Sequence, residues 1–128
     1  MSERAHPLPP PPEERHPLSQ RVREIALSLP NAWEDHPWGD VVFKVGEKMF
    51  LGCHVRSGGI TVKANPGELP SLLERPNIVL APYVGRFGWV QMTFDSETEL
   101  AFAEQLIRMS YELIASRNAS KKASRKKT

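Results

Sequence analysis

The chain of 128 residues is short of several things, and each shortage narrows what it can be. Cys53 is its one cysteine, so no disulfide can close within the chain, and a reducing compartment is the expectation. No stretch approaches the roughly 18 consecutive apolar residues of a membrane-spanning helix. The N-terminus lacks an apolar core of the secretory kind, which makes the cytoplasm the expected location. No G-x-S-x-G, G-x-G-x-x-G or Walker loop occurs; VGRFGW offers only Gly85 and Gly88, with no phosphate-binding helix directly after them. A strong positive field is also missing. The formal net charge is +2, yet Arg117, Lys121, Lys122, Arg125, Lys126 and Lys127 lie together with no acid among them. Setting those six aside leaves 11 basic against 15 acidic groups over residues 1–116, a balance of −4. The slightly basic character therefore comes from the tail, and the body is mildly acidic.

The composition, 40% hydrophobic and 25% charged, fits one globular domain with a proper core. Residues 1–17 hold six of the twelve prolines, including the run Pro7 to Pro12, and read as a disordered, polyproline-like leader. Residues 118–128 are small, polar and basic and read as a disordered tail. The domain is then residues 18–117.

Within it, Val22, Ile25, Ala26 and Leu29 share one face of a helix, with Ser19 as its expected cap and Pro30 as its stop. DVVFKV and KMFLGCHV are extended runs joined at Gly46-Glu47, a hairpin by turn chemistry. Ser57-Gly58-Gly59 turns into ITVKA, where Ile60, Val62 and Ala64 alternate with Thr61 and Lys63. Leu69, Leu72 and Leu73 give a short helix limited by Pro70. NIVLAPY and the run Trp89 to Phe94 are two more strands. Ser96 and Glu99 match a capping box opening a long helix to about Arg117, with Leu100, Ala103, Ile107, Tyr111 and Ile114 on one face. The order α-β-β-β-α-β-β-α predicts an α+β fold: two layers, an antiparallel sheet with the terminal helices packed on one face.

Several stretches in this order carry a family resemblance: SLPNAWEDHPWGD, VFKVGEKMFLG, ITVKANPGE, APYVGRFGWVQM and the SYELIA of the last helix. Together they make residues 18–117 resemble the MmcQ/YjbR family of small bacterial domains, grouped with the CyaY-like fold. The resemblance implies a two-layer α+β domain described as a DNA-binding protein with a double-wing motif. It brings no catalytic motif and no cofactor.

The residues themselves allow three kinds of site. Glu34, Asp35, His36 and Asp40 crowd around Pro37, but their spacing matches no metal-ligand pattern. The expectation is a helix-to-hairpin corner with Trp38 plugged into the core, the carboxylates facing water and no metal. Cys53 and His54 are adjacent on a strand and so point to opposite faces, which argues against a nucleophile–base pair; no enzyme is expected. Lys44 and Lys48 flank the hairpin turn, Lys63 lies on the next strand, and Arg86 sits in a loop among Tyr83, Phe87 and Trp89. Cations of this kind suit phosphates, and rings suit sugars or bases. Together with what the family resemblance implies, this makes DNA the expected partner, and the chain is expected to be a monomer. The alternative is a cleft around Trp38, Tyr83 and Trp89 that holds a protein or a small ligand.

Overall fold

The computed structural model describes residues 9–94 and 96–127, and the side chains among them except those of Pro12, Trp38 and 118–127. Its main elements are α1 (Leu18–Leu27), β1 (Ala32–Asp35), β2 (Val41–Val45), β3 (Lys48–His54), β4 (Gly59–Lys63), α2 (Leu69–Leu73), β5 (Ile78–Leu80), β6 (Trp89–Thr93) and α3 (Leu100–Lys127). The strands form one sheet in the order β1-β2-β3-β4-β6-β5, antiparallel throughout. Helices α1 and α3 pack on β1, β2, β3 and β4 and on each other, so the expected α+β class and the placement of the terminal helices hold.

One strand escaped the sequence pattern. Ala32–Asp35 is not the tail of a helical corner but an edge strand, paired with β2 from Ala32 opposite Val45 to Asp35 opposite Val42. Helix α1 stops at Leu27, and Asn31, a residue type that tolerates the left-handed region, reverses the chain at φ 62°. The corner then follows β1 as a single 3₁₀ turn over Pro37–Gly39.

The core lies between the sheet and the helices. Phe43, Phe50, Leu51, Ile60, Val62, Val90 and Met92 are buried beneath Val22, Ala26, Ala103 and Ile107. A bulge in β3 fills its middle. Phe43 pairs with Leu51 and Lys44 with Met49, so Phe50 is the extra residue, and Phe50 and Leu51 both enter the core. Ser110 of α3, fully buried, locks this bulge: its hydroxyl donates to the Phe50 carbonyl (2.6 Å) and accepts the Lys63 amide (2.9 Å). The next residue, Tyr111, sets its ring edge-on to Phe50 and donates its hydroxyl to the Pro30 carbonyl (2.6 Å).

Two expected caps form differently. Ser19 lies inside α1 and turns its hydroxyl back to the His16 carbonyl, while His16 Nδ1 accepts the Leu18 amide. Ser96 makes no side-chain cap; Glu99 is instead drawn to the Asn77 side chain, and a 3₁₀ turn over Glu97–Glu99 precedes α3. Described structure also extends beyond residues 18–117 at both ends. Residues 1–8 of the proline-rich leader lie outside the described residues. Residues 9–17 dock on the body, with the His16 amide on the Val55 carbonyl (2.5 Å) and Glu14 paired with Arg56. At the other end, backbone helix continues past Arg117 to Lys127, because NASKKASRKK contains neither glycine nor proline and is rich in helix formers.

Candidate functional site

The sheet register decides which candidate residues meet. Met49 of β3 faces Lys44, Leu51 faces Val62, and Lys63 of β4 faces Trp89 of β6. The β2–β3 turn, the end of β4 and the loop before β6 therefore share one end of the sheet. Helix α3 begins after Phe94, whose amide bonds Gly58 at the opposite end, and passes Ser110 beside Phe50 and Lys63. Its last residues thus run off the same end as the hairpin tip. At 1.5 Å per residue, about 25 Å of helix follows Ser110.

Each expected cation has its own surroundings. The two-residue turn at Gly46-Glu47 pairs Val45 with Lys48, so Lys44 and Lys48 leave opposite faces of the hairpin. Lys44 lies 2.7 Å from Asp35 and 5.2 Å from the Trp33 ring centre, half-buried on the sheet face away from the helices. Trp33 anchors this corner by donating Nε1–H to the Gly46 carbonyl (2.8 Å). Lys48 is exposed on the tip beside the equally exposed Glu47. Lys63 is the correction: it is only 8% exposed, and its ammonium donates to the Phe87 carbonyl. Burial, and the charge of Arg117 nearby, lower its pKa from the ordinary value. It braces the neighbouring loop rather than standing free for a phosphate. Arg86, exposed in the turn Gly85–Phe87, lays its guanidinium 4.7 Å from the Phe87 ring centre.

Two of the three aromatic candidates have described side chains. Tyr83 is 96% exposed, while Trp89 is half-buried and packed on the core edge. The Trp38 side chain lies outside the described residues, so neither its core nor its cleft role is placed. Trp33 and Phe87 remain exposed, and both stand near the cations just described.

Within the polar crowd at residues 34–40, Glu34, Asp35 and His36 are held in pairs, while Asp40 is exposed. Glu34 sits between Arg23 of α1 and the His36 ring, each 2.7 Å away. Burial pushes its pKa up, but the hydrogen bonds from His36 and Arg23 outweigh this and leave it lowered. Asp35 is also lowered, by the Lys44 hydrogen bond first and then by the His36 amide. Cys53 points into the core and His54 to Thr61 (2.7 Å), on opposite faces as strand alternation requires. Burial pushes the Cys53 thiol up to about 12.

The candidate site is thus one end of a sheet, with a hairpin tip carrying Lys44 and Lys48, a loop carrying Tyr83, Arg86 and Phe87, and the overhanging end of α3. Among the curated proteins, none matches the chain. The sequence profile described as YjbR matches residues 27–113, more than half of the chain and the whole span from the end of α1 through the Ser110-Tyr111 pair. The chain belongs to the MmcQ/YjbR family.

Proposed function

We propose that the chain is a non-catalytic DNA-binding domain that acts as a monomer through this end of the sheet. One observation carries the reading: the register gathers Lys44, Lys48 and Arg86 at the end from which α3 runs on through the basic segment 117–127. The acidic balance of residues 1–116 weakens a whole-surface mode of binding and favours a local one. Lys48 and Arg86 are the exposed cations of the two protruding segments and suit phosphate contacts. Family membership agrees with this reading, since the double-wing description concerns paired protrusions of the same kind.

The test is DNA binding by fluorescence anisotropy over a salt series, with the full chain, a chain ending at Arg117, and the double variant Lys48→Ala/Arg86→Ala. Each lost phosphate contact removes about 0.9 from the log–log salt slope. The double variant is expected to lose about 2 from that slope. The shortened chain should bind more weakly but keep its response to the double substitution. Binding that disappears with residues 118–128 and ignores Lys48 and Arg86 would overturn the proposal.

A further inference from the structure

The loop joining β5 to β6 is built on a tightly bonded backbone that carries two rings in solvent. The Ala81 amide bonds the Trp89 carbonyl (3.0 Å), Gly85 bonds Ala81 (2.9 Å), Phe87 bonds Val84 (2.9 Å) and Gly88 bonds Gly85 (2.9 Å). The Gly88 carbonyl in turn takes the Ala64 amide (2.8 Å), and the Lys63 ammonium holds the Phe87 carbonyl from beneath. Gly85 lies so close to Leu80 that a Cβ there would meet the Leu80 Cβ at 2.9 Å. At the tip, Val84 N–H bonds the Pro82 carbonyl (2.7 Å), closing a three-residue turn on Tyr83 at φ 66°. That is the less favourable hand of γ-turn, and an unusual place for a bulky residue. The result is a tyrosine 96% exposed on a tightly bonded loop, with Phe87 56% exposed and Arg86 against its ring.

We infer that this loop receives unpaired bases, so that the nucleic acid bound is single-stranded, or duplex with an unpaired stretch. The inference rests on the DNA-binding reading above and names the form of DNA it takes. Inside a duplex both faces of each base are covered by neighbours, and a protruding tyrosine finds backbone and groove edges but no free face to stack on. In a single strand the bases offer free faces, and stacking on rings carried by a pre-set backbone costs little loop ordering. Tyr83 and Phe87 take bases, while Arg86 and the exposed Lys48 take the phosphates between them. The apolar neighbours Val79 and Leu80 are also exposed, so a contact between copies of this chain is the competing use of the loop.

The experiment uses the full chain and two fluorescein-labelled probes, an oligodeoxythymidine of about 20 nucleotides and a blunt duplex of the same length. The single strand is expected to bind more tightly. Tyr83→Gly relaxes the turn and so keeps the fold; it is expected to weaken single-strand binding by about 5- to 100-fold and to leave duplex binding unchanged. Phe87→Ala should act in the same direction, whereas Arg86→Ala should weaken both probes. Duplex binding that equals or exceeds single-strand binding, or single-strand binding indifferent to Tyr83→Gly, overturns the inference while leaving the DNA-binding reading intact. Binding of neither probe overturns both. Sedimentation showing self-association that Tyr83→Gly abolishes, with single-strand affinity unchanged, assigns the loop to a contact between copies and also overturns it.

Discussion

Replacing Ser110 with alanine removes one oxygen from the centre of the molecule. That oxygen accepts the Lys63 amide at 2.9 Å and donates to the Phe50 carbonyl at 2.6 Å, and the residue is fully buried. Ser110→Ala therefore strands a donor and an acceptor together. Each buried group left without a partner costs about 1–3 kcal/mol. Slight relaxation of α3 recovers part of this, so a net loss of about 3 kcal/mol is expected. For a domain of this size the melting temperature falls by about 4 °C or more per kcal/mol, so a drop of roughly 10–15 °C should follow. Urea unfolding followed by tryptophan fluorescence measures the free energy directly. Ser116→Ala, at an exposed position on the same helix, is the control and should stay within about 0.5 kcal/mol. A Ser110→Ala loss as small as the control's would refute the reasoning. It would mean that the bulge carbonyl and the β4 amide find other partners without the hydroxyl.

Two more outcomes follow from titrating groups. Cys53, its thiol pushed up to about 12 by burial, should resist alkylation at pH 8 in the folded chain and react on unfolding in urea. Because its folded pKa is raised above the ordinary 9.0, its contribution to stability is intact below pH 9 and declines as pH rises through the folded value. Comparison with Cys53→Ala isolates this decline, and equal alkaline profiles for the two chains would contradict it. Glu34, its pKa lowered by His36 and Arg23 despite burial, contributes stability that is present above its ordinary value of 4.5 and lost as pH falls through the lower folded value. Glu34→Gln should thus cost up to about 1 kcal/mol at pH 7 and less at pH 3, read from urea midpoints. A penalty of the same size at both pH values would show that packing, not charge, is what glutamate supplies there.

The parts of the fold legible in sequence are those with strong periodic burial. The meander from β2 to β4 shows in the alternation of Ile60 and Val62 with Thr61 and Lys63, and α3 shows in the spacing from Leu100 to Ile114. β1 was hidden because Ala-Trp-Glu-Asp has no apolar alternation; it becomes a strand only because β2 offers an unpaired edge. The capping box at Ser96 failed because Asn77, remote in sequence, competes for Glu99. The site was half legible. Its cations and rings were identifiable by type, and the two-residue hairpin turn already implied that Lys44 and Lys48 point apart. That Lys63 serves the Phe87 carbonyl instead of solvent depends on a contact between residues far apart in the chain, and no local pattern announces it.

The chain enters and leaves the sheet at opposite ends. His16 bonds Val55 and packs under Gly58 beside the start of β4, while α3 departs past the β2–β3 turn. The molecule therefore has a back and a front in the mechanical sense. A tether, label or solid support joined at residue 9 starts at the end of the sheet away from the hairpin tip and the Tyr83 loop. The same attachment after Lys127 hangs in front of them. Surface-capture measurements made with the two orientations should accordingly differ, and the N-terminal one is the geometry that leaves the protruding loops free to meet a partner.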